Sequence, residues 1–487
     1  MTDRSDGDRP KPVRRRAVKR GAMVLGVGMA LNFALNMGRS ILIARLLTVA
    51  DYGIAGTFMA ALNLLQMMSN FSFQLLIVQD RRGNDEAFGA AIKGLNVARQ
   101  ILLGCLLIAL GGPIAQLMGQ PDLAWAYRCM AVVPFVTAFR HQDLVRLKRQ
   151  MLFGPQMINN IGAQLLGIAA LWPAVVMLGD YRILLVFYAV QALGQLVGSH
   201  LQAERRFHVG WDWSVAGQAL RFGWPLMASG FVLFFVMQGD RIIVANFYSA
   251  EDLGLIAVIL AMVMPVVQVV GQLVRTYFLP VLARHQDKPQ SFDERAVVTL
   301  QLTLCMGLAA ALGFAILGPP VIVIAFGAKY AAAGTYVAAL AAAFAVQMVR
   351  SGSTTVALAR GNSLNNLFSN LVRIVFFVPA VTLAAQGADL VSVILVGVAG
   401  QVAGMALSVG MLYWRTGLGA WHRMRLPCAL ALASFAALAG SIMQPDYGYA
   451  TPGWPLAVAL GGALLTLASC RSLATEARMW LRRSPPS

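Results

Sequence analysis

Apolar runs of about 20 residues recur along this chain from one end to the other, and no other feature limits its fold as tightly. A helix rises about 1.5 Å per residue, so each run is long enough to cross the ~30 Å hydrocarbon layer of a bilayer. Hydrophobic residues make up 58% of the sequence and charged residues 12%, where an ordinary soluble domain carries about 25% charged. Backbone groups in lipid must be satisfied within the segment or in a closed barrel, and the strict in/out alternation of a barrel is missing. The sequence predicts an all-α polytopic membrane protein.

Spans fall at about 21–47, 52–77, 87–112, 122–141, 153–178, 181–202, 218–246, 252–281, 294–317, 332–357, 362–385, 389–413, 426–443 and 454–471, about 14 transmembrane helices. The net charge of +18 could be the footprint of nucleic acid, but its distribution argues otherwise. Arg14, Arg15 and Arg16, then Arg81 and Arg82, Arg140, Arg146 and Lys148, Arg205 and Arg206, Arg284 and Lys288, Arg415 and Arg423, and finally Arg482 all fall at one side; the other has mainly Arg182 and Lys329. This is the positive-inside bias, and it puts both termini in the cytoplasm with no nucleic-acid partner. Residues 1–20 read as a disordered basic tail and 472–487 as a second cytoplasmic tail. The first apolar run is too long for a signal peptide and reads as a membrane helix.

The five cysteines stand singly in predicted helices, and the five histidines fall at helix ends or loops without a ligand-type cluster. No metal or other cofactor is expected, and no GxxxxGK[ST] run points to nucleotide hydrolysis.

ILIARLLTVADYGI (41–54) aligns without a gap on IIVANFYSAEDLGL (242–255), an offset of 201. Six helices separate the copies, an even number, so the repeat is parallel, with two lobes related by an axis along the membrane normal. The expected organisation is an N-lobe over 21–216, a C-lobe over 217–415 and an appended helix pair over 416–471.

Residues three, four and seven apart share a helix face. Such stripes are polar on five or more helices: Asn32, Asn36 and Arg39; Asn63, Gln66, Asn70 and Gln74; Lys93, Asn96 and Arg99; Gln268, Gln272 and Arg275; Gln347 and Arg350; Asn362, Asn366, Asn370 and Arg373. Polar side chains facing lipid would lack partners, so these faces turn toward protein or water. Among intramembrane charges the cations dominate, with Asp240 the one carboxylate. Arg99 and Arg373 lie about 17–18 Å from the cytoplasmic ends of their helices, near mid-membrane. Guanidinium groups in a low-dielectric cavity attract anions, and their forks suit phosphate oxygens. Arg39 and Arg275, nearer helix ends, could instead reach lipid headgroups, Arg99 could pair within its own lobe, and Asn362 could be a helix cap.

ILIARLLTVADYGIAG, the GWPL of helix 7, QGDRIIVANFYSAEDLG and LPVLARHQD together resemble the lipid-linked oligosaccharide flippases, the Wzx-type polysaccharide transporters of the multidrug/oligosaccharidyl-lipid/polysaccharide exporter superfamily. The resemblance spans roughly 18–470. It implies two six-helix lobes forming a V, lined by helices 1, 2, 7 and 8, and alternating access that carries an undecaprenyl-diphosphate-linked sugar unit between leaflets. It also implies roles for Arg39 and Asp240, at the family's charged positions near the outer ends of helices 1 and 7. Related peptidoglycan-precursor flippases usually place an Arg shortly before the proline that here is Pro265; this chain has Leu260 and Ala261 there.

The expected function is therefore a non-enzymatic flippase in the bacterial inner membrane, serving lipopolysaccharide O-antigen, capsule or exopolysaccharide assembly. Its partners would be the lipid-linked oligosaccharide, membrane lipids and the polysaccharide polymerase machinery. The expected substrate-binding residues are Arg39, Asn32, Asn36, Asn70, Arg99, Arg275, Arg350 and Arg373, and the expected gate is Arg39 with Asp240. Two alternatives remain open: a drug/cation antiporter of the same superfamily, and a membrane polysaccharide polymerase or ligase.

Overall fold

The computed structural model describes residues 15–68, 82, 85–149, 152–362, 364–416, 422–442, 454–470 and 473. Their regular structure is helical. In chain order the helices are α1 (Arg15–Leu46), α2 (Val49–Met68), α3 (Glu86–Ala109), α4 (Gly111–Leu117), α5 (Ala124–Cys129), α6 (Val132–Ala138), α7 (Asp143–Arg149), α8 (Gly154–Leu178) and α9 (Ile183–Leu201). There follow α10 (Trp213–Phe247), α11 (Ala250–Ala283), α12 (Pro289–Phe326), α13 (Gly334–Ala359), α14 (Leu364–Val375), α15 (Phe377–Ala385), α16 (Leu390–Thr416), α17 (His422–Ile442) and α18 (Trp454–Ser469).

Among the described residues ten helical stretches are long and apolar enough to cross a membrane, so the chain is a multi-pass membrane protein. Fourteen is not confirmed among the described residues. The expected spans 52–77, 122–141, 426–443 and 454–471 fall short of the measure. The span at 122–141 is broken into α5 and α6, which meet near Met130 and Ala131. The last helix, α18, has only 16 residues. The far part of 52–77 lies outside the described residues.

Internal contacts divide the chain into two units. The first holds residues 1–39, 68–112 and 124–227, and the second 40–67, 113–123 and 228–487. Each boundary near 39 and 227 falls within a long helix, α1 or α10.

In the second unit the repeated segments explain themselves. Thr48 accepts the backbone N–H of Asp51 at 3.1 Å, and its hydroxyl donates to the Asp51 carboxylate at 2.6 Å. Ser249 and Asp252 form the same reciprocal cap on α11. This arrangement satisfies N–H groups that the first helical turn leaves without partners, which is why the sequence keeps hydroxyl-x-x-Asp in both copies. Gly53 and Gly254 then touch each other: a Cβ on Gly53 would lie 2.6 Å from the Gly254 nitrogen, and one on Gly254 would lie 2.0 Å from the Val49 oxygen. A residue can meet its own repeat mate only close to the axis that relates the two segments. Both positions therefore need hydrogen as a side chain.

The end of α1 is tied to the end of α12 and to the turn that follows it. Arg45 donates to the carbonyls of Ala325 at 2.7 Å and Ile324 at 2.5 Å, and Lys329 donates to those of Arg45 and Leu47. Arg45 thus caps the C-terminal carbonyls of α12, and Lys329, in the turn after α12, caps those at the end of α1. The core of this unit is dense around α11, α12 and α13, with Val258, Ile259, Phe326 and Val337 sealed from solvent.

Candidate functional site

In the second unit the polar stripes of α11, α13 and α14 converge. Gln268, Gln272 and Arg275 from α11 face Gln347, Arg350, Ser351 and Thr354 from α13 and Asn366 from α14 across a cavity of about 500 Å³. Two guanidinium groups point into this space, and no carboxylate is among the residues lining it. Stripes on three helices line one cavity here, because helical spacing of three, four and seven keeps each stripe on one side.

Arg350 is the inner wall, with only 7% of its surface exposed. It donates through Nη1 to the Ser369 hydroxyl and to the Asn370 amide oxygen, both at 2.9 Å, while its Nε–H has no acceptor among the described residues. Arg373 donates to the same Asn370 oxygen at 3.3 Å. Asn370 thus holds two cations at one acceptor. Beyond it, Arg373 opens on a second, small cavity of about 60 Å³, shared with Asp240 and Gln401 and otherwise lined by apolar residues such as Phe235, Phe344 and Phe377. Gly404 lets α14 and α16 approach: a Cβ on it would lie 2.7 Å from the Ser369 oxygen and 3.0 Å from the Arg373 Cγ. Hydrogen bonds therefore link Arg350 and Arg373 through Asn370, and Arg373 shares the small cavity with Asp240.

A neighbouring cluster is dry. Asn365 and Ser408 exchange hydrogen bonds at 2.8 and 2.6 Å, and Ser353 meets the Ser408 hydroxyl at 2.7 Å, all three wholly buried. This is interhelical glue. Asn365 sits one residue from Asn366, and the sequence stripe passed over it. Asn362, ahead of α14, accepts from Arg415 at 3.4 Å.

In the first unit, Arg39 lies over the buried Phe187 ring, 5.1 Å from its centroid, a cation–π contact. Asn36 donates back to the Asn32 carbonyl at 2.9 Å. Arg99 donates to Asn96 at 3.2 Å, and Arg140 to Gln195 at 3.1 Å. Lys93, on the same stripe as Arg99, instead lines a separate cavity with His141, Asp143 and Arg205. Arg39 and Asp240 belong to different units, each with its own neighbour. Asn70 and Gln74 lie outside the described residues. The Sγ atoms of Cys305 and Cys470 stand 3.7 Å apart, a proximity that sequence spacing did not reveal. Among the described residues no group of three His, Cys, Asp or Glu is placed to hold a metal.

A family model described as "Polysaccharide biosynthesis protein" matches residues 42–335. Among curated proteins, none matches the chain in sequence. Among solved structures, the chain is similar to the lipid II flippase MurJ in an inward closed conformation, with a TM-score of 0.64 at 12% identity over 94% of this chain and 100% of that one. It is also similar to an inward-facing multidrug resistance MATE family transporter of the MOP superfamily, with a TM-score of 0.64 at 11% identity over 83% of this chain and 99% of that one. A third is the Vibrio cholerae MATE transporter VcmN, with a TM-score of 0.53 at 14% identity over 82% and 96%. At these identities the likeness is one of fold.

Proposed function

The chain belongs to the polysaccharide biosynthesis protein family, and from that premise we propose that it is a flippase for a lipid-diphosphate-linked oligosaccharide. It moves the unit from the inner to the outer leaflet of the bacterial cytoplasmic membrane, for O-antigen, capsule or exopolysaccharide assembly. The observation that carries this reading is the 500 Å³ cavity of the second unit, with Arg275 and Arg350 on its wall and no carboxylate lining it. Guanidinium donors in a low-dielectric cavity hold phosphate oxygens, and amide side chains such as Gln268, Gln272 and Gln347 suit sugar hydroxyls. The apolar lipid tail can stay in the bilayer while the head crosses.

A drug or cation antiporter would need a carboxylate facing the path, and Asp240 instead shares a small cavity with Arg373. On the flippase reading Arg99, Arg275, Arg350 and Arg373 attract the diphosphate, with Asn32, Asn36 and Asn70 contacting the head. Arg39 and Asp240 act as a gate near the outer ends of their helices, where the pair closes in one state and parts in the other.

The test is a strain lacking this chain. Lipid-linked oligosaccharide should accumulate on the cytoplasmic side and surface polysaccharide should disappear, with both restored by the wild-type chain. Normal surface polysaccharide in that strain, with no accumulated intermediate, would remove the flippase assignment.

A further inference from the structure

The first unit carries a second cavity, of about 400 Å³, at the end of α3 where the basic loops gather. Lys93, His141 and Arg206 line it, with the carboxylates of Asp85, Glu86 and Asp143. Its volume is in the range of small-molecule sites. Neither the polar path described above nor the family's description gives it a role.

Its acidic groups are already engaged. Asp143 accepts from Arg146 at 2.5 Å and from the backbone N–H groups of Glu204 at 2.8 Å and Arg205 at 3.3 Å. Glu204 accepts from Arg146 at 2.7 Å, and Asp85 caps α3 by accepting the Ala87 N–H at 3.2 Å. Glu86 stands 3.7 Å from the Arg205 guanidinium. These carboxylates tie α3, α7 and the 204–205 turn together, and so build the walls.

The donors that remain point to what is missing. Lys93 is 4% exposed, and its ammonium sits 3.8 Å from the centroid of the Phe207 ring. Among the described residues it has no ion-pair partner within 4 Å, and a cation–π contact leaves its N–H groups without an acceptor. His141 is 5% exposed, and its Nδ1 accepts the backbone N–H of Asp143 at 3.1 Å. That bond fixes the tautomer: the proton of the neutral ring is on Nε2. Nε2 is buried and has no partner among the described residues. Burial first, and then the Lys93 charge, push the His141 pKa down to about 4, so the ring is a neutral donor at physiological pH. The exposed Arg206 adds a guanidinium at the rim.

A buried imidazole N–H with no acceptor among the described residues, beside a lysine ammonium whose neighbour is a ring face, in a cavity whose carboxylates are taken, suits a ligand that only accepts. A buried donor left alone costs about 1–3 kcal/mol. We propose that this cavity is a binding site for a phosphate ester, with Lys93 Nζ and His141 Nε2–H donating to its oxygens and Arg206 holding it at the mouth. The ester could be the headgroup of an anionic phospholipid or a soluble phosphorylated molecule; both offer the same oxygens.

The full-length chain, purified and stripped of lipid, tests this by native mass spectrometry and thermal shift. The probes are phosphatidylglycerol with phosphatidylcholine as the control lipid, and glycerol 3-phosphate with glycerol as the soluble control. A lipid-headgroup site binds phosphatidylglycerol over phosphatidylcholine and ignores glycerol 3-phosphate; a soluble-ligand site is stabilised by glycerol 3-phosphate and not by glycerol. In either case Lys93→Gln weakens binding by about tenfold or more, the loss expected of one charge-assisted hydrogen bond. Arg206→Gln, an exposed change that leaves the fold alone, weakens it by about threefold, an exposed charge being screened. Should Lys93→Gln fail to fold, Arg206→Gln and His141→Gln carry the test. Equal binding of every probe and its control, or binding unchanged in the variants, overturns the proposal.

Discussion

Replacing Arg350 by methionine separates a transport role from a structural one. Arg350 makes two hydrogen bonds, to Ser369 and to Asn370, each 2.9 Å long. Bonds from a charged donor are worth about 1.5–3 kcal/mol each, which would suggest a large loss. Both acceptors keep other partners, however. Asn370 still accepts from Arg373 at 3.3 Å, and the Ser369 hydroxyl still donates to the Asn366 carbonyl at 3.1 Å. Methionine has a similar reach and removes a nearly buried charge that no carboxylate pairs, so the cost of desolvating that charge is recovered. The opposing effects nearly cancel, and Arg350→Met should change stability by only about 1 kcal/mol, a shift of roughly 2–4 °C or less in Tm for a chain of this size. Transport should respond differently. If the guanidinium holds a phosphate oxygen during passage, losing it raises the barrier by about 1.5–3 kcal/mol, a slowing of about 10- to 150-fold. The assay is surface polysaccharide in the deletion strain complemented with the variant, beside its membrane level and its melting curve. A variant that melts normally and transports normally would refute the anion path through the cavity. One that is lost from the membrane would make Arg350 a structural residue. Arg350→Lys should recover part of the transport, since a point charge lacks the fork.

Asp240→Ala and Arg39→Ala should each impair transport, and Arg39→Asp with Asp240→Arg should restore part of it; a swap no better than the single changes removes the gate. Gly254→Ala places a Cβ 2.0 Å from the Val49 oxygen, so it should cost about 1–3 kcal/mol, read by chemical denaturation in detergent, whereas Gly271→Ala meets open space and should be tolerated. The depressed His141 pKa, about 4 against an ordinary 6.5, means the unfolded chain takes up a proton before the folded one does. Its contribution to stability is fully present above pH 6.5 and is lost as pH falls from there toward 4; His141→Gln should flatten that part of the stability–pH curve. Burial opposes the Asp143 charge, yet Arg146 and the two backbone N–H groups hold its carboxyl below the usual range. Asp143→Asn should therefore be less stable than wild type at neutral pH, and the gap should close as pH falls below about 4, the ordinary carboxylate value.

The class of the chain was legible in its residues, because crossing lipid demands long apolar helices and leaves few other solutions. So was the repeat: its hydroxyl-x-x-Asp caps and paired glycines answer local needs, an N–H without a partner and two backbones in contact, which dictate residue type wherever they arise. The run ILIARLLTVADYGIAG carried the family for the same reason. What helical spacing could not tell is what each polar face meets. Asn366 lines a 500 Å³ cavity while Asn365, one residue away, is sealed in a dry cluster with Ser353 and Ser408. Lys93 and Arg99 share one stripe, yet the first enters a cavity with His141 and Arg206 and the second turns to Asn96. A period of 3.6 fixes which side chains stand together on one helix. Whether water, a hydroxyl or a carboxylate stands opposite depends on the neighbouring helix, and those neighbours come from elsewhere in the chain, as Ser408 does for Asn365 and Gln301 for the Arg423 carbonyl. Only the packed helices decide that.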